Sequence, residues 1–355
     1  MCEHVPLLCV IPPHILKQIA QRARTEEHRA WAARTLELSA QMRGRRTAFA
    51  FLPQLELSTG TKRRAIYTCD HGTNLPGTLV RGESENPSSD DSVNRAYDGL
   101  GDTYDFYMST YQRNSIDGRG MRLNASVHFD QNYDNAFWDG RQMVFGDGDG
   151  QIFNDFTCCL DVIGHELTHG VTQFTAKLEY QDQSGALNES MSDVFGSLIK
   201  QYKLGQTADQ ANWLIGEGLL APGVNGTALR SMKAHGTAYD DPVIGKDPQP
   251  SDMQNYVNTL EDNGGVHINS SIPNRAFYLT AAAIGGFAWE KAGRIWYCAL
   301  TDKLHHNADF SAAAAATYET AGTLYGNGSA EQTAVARAWD TVGVSRGTIR
   351  AAVAA

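Results

Sequence analysis

The sequence predicts an α+β chain with a helical leading segment, a strand-rich first half and a helical second half. Three observations predict it. From Ile15 to Met42 there is neither proline nor glycine, and Trp31, Thr35, Leu38 and Met42 recur at helical spacing. From about residue 60 to 156 short apolar and aromatic runs, AIYTCD, TLVRGE, RLNASVHFD and RQMVFGDGDG, are broken by Gly, Asn and Asp, as short strands joined by tight turns require. After Thr157 the period becomes helical: Leu187, Met191, Val194, Phe195, Leu198 and Tyr202 mark one helix face, and alanine-rich helical text runs from 275 to the end.

Taken in order, the chain opens with LLCVIPPHIL, residues 7 to 16. Glu3 stands ahead of it, its apolar run stops at Pro12, and no small-residue cleavage site follows, so it is not read as a secretory signal. No window approaches the roughly 18 consecutive apolar residues that span a bilayer. The helical segment ends in RGRRTAFAFLPQLELSTGTKRR, which is basic, turn-prone and expected to be an exposed linker. The expected division is a leading segment at 1–46, a linker at 47–60, a strand-rich unit at 61–183 and a helical unit at 184–355.

The formal charge of -10 argues against nucleic acid or a membrane as general partner. The charge is uneven. Residues 1–46 hold 8 Lys+Arg and 4 Asp+Glu, net +4, which leaves 22 against 36, net -14, for the remainder. Six cysteines are too few for a disulfide scaffold, and the neighbours Cys158 and Cys159 could not bond to each other without strain, so reduced buried thiols are expected. A monomer is expected, made in the cytoplasm or exported by a route that uses no signal peptide.

The helix opening the second half contains VIGHELTHGV. His165 and His169 are four apart, so both imidazoles project from one face and can bind one ion, with Glu166 beside the open coordination position. Catalytic zinc keeps three protein ligands and a water. In SGALNESMSD, Glu189 and Asp193 also lie four apart on one helix face: Glu189 can supply the third ligand, and Asp193 can accept the other ring N–H of a ligand histidine.

HELTHGVTQFTAKLEYQDQSGALNESMSD, together with NAFWDGRQMVFGDGDG and DNGGVHINS, resembles the thermolysin-like zinc metallopeptidases, over nearly everything after residue 60. The 19 residues between His169 and Glu189 suit this family; related zinc aminopeptidases typically have 18. The resemblance implies a two-lobed fold, a β-rich amino-terminal lobe and a helical carboxy-terminal lobe with the zinc helix flooring the cleft between them. It implies one catalytic Zn2+ and endopeptidase cleavage of protein or peptide substrates on the amino side of large apolar residues. Glu166 would take the proton of the activated water.

By the same resemblance His267 and Tyr180 fall at oxyanion-stabilising positions, Asp262 orients His267, Arg230 binds a substrate carbonyl, and Asn135 and Ala136 form the edge that receives substrate as an added strand. Phe153, Phe156, Val162, Ile215 and Leu229 match the positions of the apolar specificity pocket. The double calcium site of relatives is expected to be altered: Asp161 and Glu217 are present, but Lys200 stands where an acid is expected, with Asn212 and Leu214 at two other positions, so Lys200 is expected to pair with the two acids and Ca2+ dependence to be reduced. Thr227 replaces an Asp at a further site. Two rival readings are an inactive binding protein on the same scaffold and an exopeptidase.

Members of the protealysin-like branch of this family lack a signal peptide and carry a short prosegment with a proline pair, which PPHIL at 12–16 resembles. That implies a chain made as a precursor, with its own prosegment as intramolecular inhibitor. The expected arrangement has the prolines extended in the cleft, Ile15 or Leu16 in the apolar pocket, Cys9 packed or on the metal, and self-processing near FAFL, residues 49–52.

Overall fold

The computed structural model of the chain describes residues 8–49 and 60–347. The leading segment comprises β1 (Leu8–Cys9), α1 (Pro13–Arg22) and α2 (Glu26–Phe49). There follow β2 (Arg64–Thr68), β3 (Thr78–Gly82), α3 (Asp91–Tyr111), β4 (Leu123–Val127), β5 (Ala136–Trp138) and β6 (Met143–Phe145). The helical part has α4 (Leu160–Gln173), α5 (Asp182–Leu204), the short pair β7 (Leu214–Ile215) and β8 (Arg230–Ser231), then α6 (Asp262–Asn269), α7 (Ser271–Ile284), α8 (Ala292–Asp302), α9 (Phe310–Tyr325) and α10 (Ala330–Thr341). None of the described helices is long and apolar enough to cross a membrane.

Six strands form one mixed sheet in the order β1-β5-β6-β4-β2-β3. β4 runs parallel to β2 and β6, and the other pairs are antiparallel. β1 is the edge strand, with Leu8 opposite Trp138 and Cys9 opposite Phe137. The leading segment is thus hydrogen-bonded into the sheet. It also shares the core: Val10, Ile11, Ile15, Leu16 and Ile19 belong to the main apolar cluster with side chains of α3, α4 and α5. A second cluster joins Cys9 and Met42 to Phe129, Tyr133, Phe137 and Val144.

Four expectations need correction. The helix expected over 15–42 is two helices. The chain breaks at Ala23, whose ψ of 142° is extended, and restarts behind Thr25, whose hydroxyl accepts from the amide of His28 as a helix cap. α2 then continues to Phe49, so the start of the supposed linker is helical; residues 50–59, which include most of FAFL, lie outside those described. PPHIL is extended only at Pro12. Pro12 caps α1 and Pro13 occupies its first turn, where a missing N–H costs nothing, and the extended stretch lies just upstream. Finally, the strand-rich region contains the 21-residue α3: Asp90 accepts from the amides of Ser92 and Val93, and Val93, Ala96, Tyr97, Leu100, Tyr104, Tyr107 and Tyr111 bury one face.

Candidate active site

α4 carries His165, Glu166 and His169, and every residue from Asp161 to Thr172 on it is buried. Its neighbour α5 is buried from Ser184 to Ile199, including Glu189 and Asp193. Two glycines let the backbones close. A Cβ on Gly164 would lie 2.7 Å from Ile199 Cδ1, and one on Gly196 would lie 2.4 Å from the Asp161 carbonyl oxygen. This approach brings the two motifs together.

The Nε2 atoms of His165 and His169 are 3.1 Å apart. Glu189 Oε2 lies 3.4 Å from the first and Oε1 3.3 Å from the second. Glu166 also brings an oxygen within 4.8 Å of both imidazoles. Its Oε2 accepts from the Trp138 amide at 3.0 Å, its Oε1 is buried without a partner, and burial pushes its carboxyl up to about 8. Two imidazoles and carboxylates converging in a site closed to solvent suit a divalent zinc ion.

The outward ring nitrogens are fixed. His165 Nδ1 lies 2.8 Å from Asp193 Oδ1, and His169 Nδ1 lies 2.8 Å from Asn188 Oδ1 and 2.9 Å from Ser192 Oγ. Nδ1–H donation leaves each Nε2 lone pair turned inward. Asp193 also accepts from Arg230, whose Nε and Nη2 lie 2.9 Å from its two oxygens, and from Asn274 Nδ2 at 2.8 Å. Burial alone would raise the Asp193 carboxyl, but the Arg230 guanidinium and His165 hold it down at about 2. Asn188, Ser192, Asn274 and the Trp138 amide are contributions that sequence reasoning missed. Asn188, adjacent to Glu189 within NES, carried the one local signal.

On the other side, α6 begins with a tight turn in which Asn263, Gly264 and Gly265 have positive φ. A Cβ on Gly264 would lie 2.0 Å from Asp182 Oδ1, so glycine is required there. The turn lets Asp262 reach forward: its Oδ1 lies 2.7 Å from His267 Nδ1, and its Oδ2 accepts from the His267 amide. Burial would lower the His267 pKa, yet Asp262 and Glu189 raise it to about 9. His267 Nε2 is 3.1 Å from the Tyr180 hydroxyl, which itself donates to Glu189.

β1 and the residues after it meet these groups directly. The Val10 amide donates to the Ala136 carbonyl at 3.2 Å and the Ile11 amide to Asn135 Oδ1 at 3.0 Å. Arg230 Nη1 donates to the Val10 carbonyl at 3.2 Å, and the Cys9 carbonyl oxygen faces His267 Nε2. Phe153, Phe156, Val162, Ile215 and Leu229 lie in the same apolar cluster as Val10 and Ile11. Ile15 and Leu16, on α1, are buried in that same cluster, and His14 Nε2 lies 3.2 Å from the Tyr239 hydroxyl.

Away from the cleft, Lys200 Nζ lies 3.3 Å from Asp161 Oδ2 and 3.2 Å from Glu217 Oε2, and Asn212 donates to the same Glu217 oxygen.

The family model of the thermolysin metallopeptidase catalytic domain matches residues 53–173, and that of the thermolysin metallopeptidase alpha-helical domain matches residues 176–344. The chain belongs to the thermolysin metallopeptidases. An extracellular metalloprotease of Pectobacterium carotovorum subsp. carotovorum is 53% identical over 344 residues, covering 96% of this chain and 97% of that protein. The extracellular minor metalloprotease of Serratia marcescens is 43% identical over 284 residues, 79% of each. The solved precursor of protealysin, a metalloproteinase from Serratia proteamaculans, superposes with a TM-score of 0.87 at 52% identity, covering 95% of this chain and all of that one. This thermolysin-family chain is accordingly a zinc metalloendopeptidase with the family's strand-rich amino-terminal and helical carboxy-terminal parts. The two rival readings lose their ground, since the compared proteins are named as proteases and the motif residues stand together in the site.

Proposed function

We propose that this chain is the self-inhibited precursor of an endopeptidase, in which residues 8–49 cover the cleft that a peptide substrate would enter. The observation that carries this is the pairing of Leu8–Cys9 with β5, continued by the Val10 and Ile11 amides on Ala136 and Asn135. An added strand satisfies backbone donors and acceptors whatever its side chains, so an internal peptide segment can bind the same edge.

His165, His169 and Glu189 would hold the zinc. Glu189 is preferred over Glu166 because its two oxygens each approach one imidazole, whereas Glu166 is tied to the β5 backbone. Bound there, zinc would supply a water acidified to a pKa of about 7 and a Lewis acid for the carbonyl. Glu166, with one unpartnered oxygen, takes the proton and passes it to the leaving amine. His267 and Tyr180 donate to the oxygen on which charge develops, Asp262 holds His267 in place, and Arg230 grips a carbonyl of the bound chain. Preference for large apolar residues follows from the wholly apolar set Phe153, Phe156, Val162, Ile215 and Leu229. Lys200 stands in for calcium.

The test uses an internally quenched peptide capped at both ends, given to the intact chain and to chain cut once within residues 50–59, with zinc measured in both. Equal zinc with turnover confined to the cut protein is expected. Equal turnover by both would refute the covering role.

A further inference from the structure

We infer that Cys158 and Cys159 form a peroxide-oxidisable dithiol, a modification site at the start of the zinc helix. Their sulfurs are 3.0 Å apart. Cys158 is exposed while Cys159 is buried, so within this pair the expectation of buried thiols holds for Cys159 and fails for Cys158. The local arrangement separates their roles. Cys159 Sγ is held 3.3 Å from the Glu217 carbonyl oxygen and Cys158 Sγ 3.8 Å from that of Gly218. The solvent-facing sulfur of Cys158 is the one an oxidant can reach, and the Cys159 thiol beside it favours its thiolate against partial burial and the Asp155 charge.

The chemistry closes with hydrogen peroxide as the oxidant. The Cys158 thiolate attacks a peroxide oxygen, the O–O bond breaks, and hydroxide leaves, forming a sulfenic acid. Cys159 sulfur then attacks the Cys158 sulfur, the S–O bond breaks, and the Cys159 proton leaves with the hydroxyl as water. Two thiols and one peroxide thus give one disulfide and two waters.

Sequence neighbours across a trans peptide have Cα atoms about 3.8 Å apart, below the roughly 4.4–6.8 Å of ordinary disulfides. The ring is therefore strained, and strained disulfides are readily reduced. Cys159 is the cap residue of α4, six residues before His165, so closing the ring moves backbone at the helix's first turn. Oxidation should depress turnover reversibly.

The experiment exposes the full chain to low hydrogen peroxide, denatures it in maleimide and digests it with trypsin. The peptide 142–177 contains no other cysteine. It should lose two hydrogens and take up no maleimide, returning to two labels after dithiothreitol. In Cys159→Ser the reaction should stop at a sulfenic acid that dimedone traps on Cys158. Peptide turnover by chain cut within 50–59 should fall severalfold with oxidation and recover with dithiothreitol, and should not respond in Cys158→Ser. Two labels persisting under peroxide, direct passage of Cys158 to sulfinic acid with Cys159 still labelled, or turnover indifferent to the bond would each overturn the proposal.

Discussion

The carbonyl oxygen of Cys9 lies 3.0 Å from Nε2 of His267. A hydrogen-bonding group suited to an oxyanion is therefore engaged by the protein's own backbone. The same stretch engages Arg230 through Val10 and Asn135 through Ile11. One strand end thus meets three groups to which the proposed function gives substrate contacts.

Glu166→Gln should keep the Trp138 contact and the packing but remove the proton acceptor. Turnover by the cut enzyme should fall by at least about 10²–10⁴-fold, the usual range for a lost general base. Zinc content and unfolding midpoint should stay near those of the parent. Retention of more than a tenth of the activity, with zinc bound, would count against Glu166 as base.

Arg34 makes a bidentate contact with Asp130, 2.7 Å on each arm, and fastens α2 to the body. Arg34 is mostly exposed while Asp130 is buried, so solvent screening limits the pair to about 1 kcal/mol. Arg34→Ala should speed release of the leading segment roughly fivefold, the equivalent of that energy. The readout is the rate at which the processed fragment appears on a gel; an unchanged rate would remove the pair from the holding contacts.

The spacing of HELTH and NESMSD made legible the side chains that converge at the site, because four residues bring side chains to one face of a helix wherever the helix lies. The surroundings were less legible. Asn274 acts through folding distance, and nothing in an isolated asparagine marks it as a partner for Asp193. α5 read as amphipathic, yet its polar side is buried because that side is the site. α3 was hidden by flanking turn residues, although Asp90 was a usable cap signal. In the leading segment the proline pair drew the eye, while the contacts come from Cys9, Val10 and Ile11. Strand addition uses backbone, which leaves little trace in side-chain pattern.

Lys200 places its ammonium against two acids. Burial alone would lower its pKa, but Asp161 and Glu217 hold it above the ordinary lysine value. Lys200→Met should destabilise by about 1–3 kcal/mol, since Asp161 is left buried without its cation. A calcium chelator that spares zinc should not shift the parent's midpoint. Lys200→Glu should create calcium dependence, its midpoint rising on calcium addition. A parent that loses stability in the chelator would disprove the replacement.

Asp134 supplies a pH prediction for the docked segment. It is 1% exposed, its carboxylate meets no side-chain donor and only the Asp149 amide, and its own amide donates to Thr35 Oγ of α2. Burial, and then the charge of Asp149, pushes its carboxyl well above the ordinary range. With the docked pKa raised, docking favours the protonated acid; that contribution is complete at low pH and is lost as pH rises through the raised value. His14, buried by the same docking and lowered to about 4, works the other way, but only up to its ordinary titration near 6.5. His14 is common to the parent and to Asp134→Asn, so it cancels in their comparison, and one proton changes the docking constant by at most about tenfold per pH unit. Against a Glu166→Ala background, which blocks self-processing, the unfolding midpoint should fall more steeply with rising pH, from the ordinary carboxyl range upward, with Asp134 than with Asp134→Asn. Asparagine fills the same space and cannot ionise, so groups common to both proteins cancel in the comparison. Parallel midpoints across that range would show that Asp134 does not couple docking to pH.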